Sequence, residues 1–187
     1  MTDTDSLRER LRALLLARSV TRGDFVLASG RRSSFYIDAR RTTMAGEGMA
    51  LIGRLGLTHF DVRGWRPSAV GGLTLGADPV AFAIAAAANA QGGTLDAFTV
   101  RKQTKAHGAG RRIEGCFAPG APVVVVEDVI TTGGSALDAI RAIEEERGRV
   151  LGVLAVVDRD EGGAAALRAA GYEVESLLDA RSLGLAP

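Results

Sequence analysis

Four consecutive valines, Val123 to Val126, restrict the fold more than any other part of this sequence. A β-branched run entered at Pro122 reads as a strand with both faces buried, which places it inside a parallel sheet. Glu127 and Asp128 stand at the end of that strand, on the edge where open α/β sheets carry their ligand crevice. Thr131-Thr132-Gly133-Gly134-Ser135 follows and opens onto a helical pattern from Ala136 to Ile140. Glycines at such a turn let backbone N–H groups curl around an anion, and the helix N-terminus favours negative charge. Each part has a plain structural explanation when taken alone; Ser135 with Asp138, for example, is an ordinary helix-start signal. In this order, strand, two acids and anion cradle describe a site for a sugar phosphate. A Walker loop is excluded because no Gly-Lys-Ser/Thr follows, and a dinucleotide fingerprint because the acids precede the glycines.

The flanking chain alternates strands with helices. Ser6 to Glu9 has the form of a capping box, and Leu7, Leu11, Leu14 and Leu15 mark one helical face that Gly23 closes. Asp24 to Ala28 and Ser33 to Asp38 read as two strands around Ser29-Gly30-Arg31-Arg32. A helix is predicted over Ala45 to Leu57, a short strand over Ser68 to Gly72, and an alanine-rich buried helix over Pro79 to Ala90. Leu95 to Val100 is a strand, and a helix reaches from the central turn to about Arg147. Val150 to Val157 is a further buried strand; a short helix and a strand over Glu173 to Leu178 finish the chain. The pattern predicts an α/β protein with a central, mostly parallel sheet flanked by helices. We expect one domain over 1–187, with an N-terminal helix and small hood in 1–42 and the core with its C-terminal strand in 43–187. Four stretches fall at strand ends: Gly71 to Asp78, Arg101 to Gly110, Glu127 to Ser135 and Asp158 to Gly163. In a parallel sheet those ends share one edge, so their loops should converge on one crevice.

Composition narrows the setting. Net charge is +1, so there is no broad basic field to support nucleic-acid binding. The longest apolar run, Pro79 to Ala88, is too short and alanine-rich to span a membrane. The charged N-terminus shows no signal peptide, and the single cysteine, Cys116, cannot form an internal disulfide. A cytoplasmic protein is expected, with Cys116 as a small buried residue. His59 and Trp65 are expected to be structural.

The loop Arg101-Lys102-Gln103-Thr104-Lys105-Ala106-His107-Gly108-Ala109-Gly110 holds the only lysines among 23 basic residues. A solvated charged loop would explain it alone. Beside an anion cradle, four cationic or proton-carrying groups on a glycine-containing loop suit an anionic leaving group that must be covered, neutralised and released.

Val123 to Ser135 resembles the binding motif of the type I phosphoribosyltransferases for 5-phosphoribosyl 1-diphosphate (PRPP). Arg-Lys-x-x-Lys-x-His-Gly is similar to the catalytic loop of the orotate phosphoribosyltransferases in particular. Phe25 to Tyr36 resembles that family's base-covering segment, and Val157-Asp158-Arg159 its base-recognition loop. The resemblance implies transfer of the phosphoribosyl group from PRPP to orotate, giving orotidine 5′-monophosphate and pyrophosphate in pyrimidine (UMP) biosynthesis. It implies that Lys102, Glu127 and Asp128 are catalytic. PRPP would be held by Arg101, Lys102, Lys105 and His107, and by the run Glu127, Asp128, Val129, Ile130, Thr131, Thr132, Gly133, Gly134 and Ser135. Orotate would meet Thr131, Arg159, Phe35 and Tyr36. Magnesium is implied as cofactor, held by substrate and water without direct protein ligands. A homodimer is implied too, with the loop Arg101 to Gly110 shared between subunits, so that Lys102 and Lys105 act in the neighbour's site. Ala28 and the Thr74-Leu75-Gly76 loop depart from the family, where cations are common. The rival readings are a phosphoribosyltransferase for a purine or uracil, and a non-catalytic PRPP-binding regulator of the same fold.

Overall fold

The computed structural model describes residues 3–26, 32–103 and 112–185. The valine run lies in β6 (Pro122–Ile130), at the centre of a six-stranded sheet. On one side β6 pairs with β3 (Ala69–Leu73), which pairs with β4 (Asp96–Val100). On the other it pairs with β7 (Arg149–Asp158), which pairs with β8 (Val174–Asp179). All of these pairings are parallel, as predicted. Val124 and Val126 enter the core on one face, while Val123 and Val125 enter the core on the other. All four valines are fully buried, and each such side chain contributes about 1.5–3 kcal/mol.

The first core is covered by α1 (Asp3–Arg18), α3 (Gly46–Arg63) and α4 (Ala77–Ala90). The second lies under α5 (Gly134–Glu145) and α6 (Gly163–Ala169). Strand order reverses between β3 and β6: the chain builds outward through β4 on one side and through β7 and β8 on the other. A crevice must open outside the carboxyl ends of those two strands, because their following connections diverge to opposite faces.

Several boundaries differ from the sequence expectation. Helix α1 begins at Asp3, so Ser6 and Glu9 lie in its body and Glu9 pairs with Arg12 at 2.9 Å. Gly23 does not end that segment; it lies inside β1 (Val20–Val26), at a register irregularity in its antiparallel pairing with β2 (Arg32–Ile37). The turn between those strands, with Ala28, lies outside the described residues. A short α2 (Arg40–Thr43) precedes α3, which runs past Leu57 because Gly48, Gly53 and Gly56 are buried contact points. A Cβ on Gly53 would sit 2.5 Å from the Ala83 carbonyl of α4, so the small residues serve helix packing.

An edge strand that the sequence did not disclose, β5 (Ile113–Gly115), runs antiparallel to β4. Three residues carry too little pattern to be read. Cys116 follows it and is exposed, which corrects the buried expectation; the sheet edge leaves its side chain uncovered. Trp65 is structural as expected: it is buried, and its indole N–H donates to Glu173 at 3.1 Å. His59 stands 3.5 Å from Glu175. Among the described residues no helix is long and apolar enough to cross a membrane.

Candidate active site

All four predicted loops reach one cleft of about 650 Å³ at the carboxyl edge of the sheet. Leu73 ends β3 and Thr74 to Gly76 follow it, Lys102 follows β4, Glu127 to Val129 end β6 with Thr131, Thr132 and Ser135 beyond it, and Arg159 with Glu161 follow β7. A fifth wall, from Tyr36 to Arg40, comes from the end of β2. That stretch was not read from the sequence as a whole. Its signal is present in hindsight, since Asp38 and Arg40 follow an apolar strand and point to a polar edge.

The carboxylates do not share one environment. Glu127 is 5% exposed, and its Oε1 has no hydrogen-bond partner. Burial, with a smaller contribution from the Asp128 charge, pushes its carboxyl up to about 8. Burial also raises Asp128, opposed by the Val129 N–H, which donates to its Oδ1 at 2.9 Å, and by the Arg40 guanidinium. Arg40 is itself held by Asp38 at 2.8 Å. Asp128 needs room that only glycine gives: a Cβ on Gly76 would lie 2.5 Å from Asp128 Oδ1. In the same loop Thr74 donates to Asp78 at 2.6 Å.

The turn after β6 rests on its glycines. Gly133 has φ +79°, a left-handed conformation that lets the chain turn from β6 into α5. Val129 to Ala136 line a small concavity beside the main cleft, and Thr131, Thr132 and Ser135 also face the cleft itself. Ile130 contributes backbone only, since its side chain is in the core and its carbonyl accepts the Arg159 N–H at 3.0 Å.

Arg159 is a buried cation, 4% exposed. Its guanidinium lies 4.7 Å from the centre of the Phe35 ring, donates to Ser33 at 3.3 Å and pairs with Glu161 at 2.8 Å. Phe35 therefore supports Arg159 from behind and is not among the residues lining the cleft, whereas Tyr36 lines it directly. Tyr36 packs on Phe25 with ring centres 5.8 Å apart, which ties the two hood strands together.

Lys102 lines the cleft of its own chain. The reason is local. Arg101 is clamped at the base of the loop by backbone pairing with Arg112 and by its side chain on Glu114 at 3.2 Å. Arg112 is fixed in turn by both carboxylate oxygens of Asp138, at 2.8 and 3.3 Å. Lys105 and His107 lie outside the described residues.

The donor set fits a ribose carrying phosphates. A buried carboxylate oxygen without a partner suits a hydroxyl donor, and the hydroxyl-rich turn suits a phosphate. No three acidic, histidine or cysteine side chains cluster to hold a metal among the described residues.

No family model matches the chain. Curated relatives do. The orotate phosphoribosyltransferase of Mycobacterium avium is 48% identical over 177 residues, covering 95% of this chain and 96% of that protein. That of Rhodopirellula baltica is 43% identical over 179 residues, covering 94% and 93%. Among solved structures, orotate phosphoribosyltransferase of Mycobacterium tuberculosis in complex with PRPP matches with TM-score 0.82 and 45% identity, over 96% of this chain and 99% of that one. With identity of that order along nearly the whole length of both partners, the chain belongs to the orotate phosphoribosyltransferase family.

Proposed function

We infer that the protein is an orotate phosphoribosyltransferase: it transfers the 5-phosphoribosyl group of PRPP to orotate, releasing orotidine 5′-monophosphate and pyrophosphate. The observation that carries this reading is the meeting of the hydroxyl-rich turn, the carboxylate pair and the buried Arg159 around one cleft. The cradle from Thr131 to Ser135 anchors the 5′-phosphate away from the reacting carbon, so its binding energy serves positioning. Glu127 and Asp128 accept from the ribose hydroxyls. Lys102 neutralises charge on the departing pyrophosphate, helped by Arg40, the cation the cleft offers where the Thr74-Leu75-Gly76 loop has none. Arg159 receives the orotate carboxylate through a planar fork, a geometry that separates orotate from uracil and the purines. The C1′–oxygen bond to pyrophosphate breaks, and the ring nitrogen of orotate bonds to the oxocarbenium-like carbon left behind.

Magnesium fits as a cofactor held through substrate oxygens and water, in a cleft that Asp38 and Asp128 line; it would offset charge on the pyrophosphate. We further infer a cytoplasmic homodimer in which the tip of the 101–110 loop crosses to the neighbouring cleft. The deciding assay follows the loss of orotate absorbance with PRPP and magnesium, beside uracil, adenine and hypoxanthine. Consumption of any of the others in place of orotate would favour the rival base reading.

Two variants test the roles. Asp128→Asn keeps the shape and removes the charge; charge-assisted bonds contribute about 1.5–3 kcal/mol, so kcat/KM should fall about ten- to a hundredfold. Thermal stability should change little. Unaltered kcat/KM would make Asp128 a purely structural residue. Arg159→Ala should weaken orotate binding and spare PRPP, as isothermal titration of each ligand would show. Equal loss for both would mean that Arg159 supports the loop and does not read the base.

A further inference from the structure

Arg159 is almost wholly buried, yet its Nε has no partner, while Nη2 is taken by Glu161 at 2.8 Å and by Ser33 at 3.3 Å. Nε and Nη2 form one edge of the guanidinium, and that edge can hold a carboxylate by two parallel bonds. Glu161 fills one of the two positions. Both residues line the cleft, and the Glu161 side chain is 12% exposed, so the pair sits in the cleft wall and not in open solvent. A second carboxylate arriving at the same edge would meet the Glu161 charge at close range in a poorly screened setting. Glu161 has an escape route: Gly162 and Gly163 follow it, and Asp160 before it already adopts φ +57°.

We propose that Glu161 is an internal surrogate for the substrate carboxylate, holding Arg159 in place before substrate arrives and yielding its position when orotate or its nucleotide binds. This rests on the reading of Arg159 given above. The surrogate stabilises a cation that would otherwise be buried without counter-charge, and it sets a threshold: a ligand displaces Glu161 only if it brings a carboxylate that can take both positions. Neutral pyrimidines gain nothing from the exchange. Glu161 thus tempers the affinity for carboxylate-bearing ligands, and not for neutral ones, without touching the bound product.

The test compares orotidine 5′-monophosphate with uridine 5′-monophosphate, the same nucleotide without the carboxylate, by isothermal titration into the full-length protein. Glu161→Gln keeps a neutral contact to Arg159 and removes the competing charge. It should tighten orotidine monophosphate about three- to tenfold, the size of one like-charge contact relieved at a partly screened site, and leave uridine monophosphate unchanged. Glu161→Asp, which retains the charge one methylene further back, should tighten the first nucleotide by less. Arg159→Ala should bring orotidine monophosphate down to the affinity of uridine monophosphate. If Arg159→Ala has no effect, the assignment of Arg159 fails and the surrogate with it. If Arg159→Ala weakens binding but Glu161→Gln also weakens it, leaves it unchanged, or tightens both nucleotides alike, the surrogate is overturned and the assignment stands.

Discussion

Glu127→Gln should melt higher than the parent protein at pH 8 and match it near pH 4.5. In the unfolded chain this carboxyl titrates near its ordinary value of 4.5; in the fold it is pushed up to about 8. Below the lower value both states hold the proton, and the group leaves stability unchanged. As pH rises from there the unfolded chain ionises while the folded one does not, so stability drains away until the folded carboxyl also ionises near pH 8. The amide never incurs that loss. At about 1.4 kcal/mol per unit, the gap at pH 8 is on the order of a few kcal/mol. At about 2–4 °C per kcal/mol for a chain of this length, Tm should rise on the order of 10–15 °C. The same change takes one acceptor oxygen from the ribose site, so turnover should fall about tenfold or more. Melting curves of both proteins from pH 4.5 to 8.5 check it. A gap that stays constant across that range would mean Glu127 is already ionised throughout, with a partner in solution.

The buried, unpartnered oxygen of Glu127 shows what the sequence could and could not disclose. The valine run located the strand, and the alternation of Val123 to Val126 between two cores made its burial on both faces inevitable. The strand-end rule then brought four separated loops to one cleft. Those steps use local pattern and a fold-level regularity, both legible without coordinates. That Glu127 lacks a partner depends on what fails to reach it from other elements, which no local pattern records. Asp38 and Arg40 escaped notice for a similar reason: they follow a hood strand outside the main sheet, so the strand-end rule did not apply to them. Strand β5 and exposed Cys116 depend on pairing at the sheet edge, where three residues carry no signal of their own. Phe35 was legible as an aromatic of the base-covering segment but not as the platform beneath Arg159.

The position of Lys102 changes the expected outcome of mixing subunits. Lys102 faces the cleft of its own chain, just beyond the anchor that Arg101 makes with Arg112 and Glu114. Lys105, three residues on, lies outside the described residues, and in the proposed dimer it reaches the neighbour's cleft. Lys102→Ala, Lys105→Ala and Asp128→Ala should each be nearly inactive as homodimers. If Lys102 acts in the cleft it lines, exchange of Lys102→Ala with Asp128→Ala subunits leaves one lesion in every site, and activity should not return. Exchange of Lys105→Ala with Asp128→Ala is different. One site of the mixed dimer then carries both lesions and the other carries neither. About half the dimers are mixed under random exchange, each with one intact site of two, so activity should recover to about a quarter of the unaltered enzyme. Mass spectrometry of the intact dimers establishes that exchange has occurred. Recovery in both mixtures would put Lys102 in the neighbour's site, against the geometry of the loop base. Recovery in neither would close each loop over its own chain, and the shared cleft would be lost while the carboxylate pair, the cradle and Arg159 kept their roles.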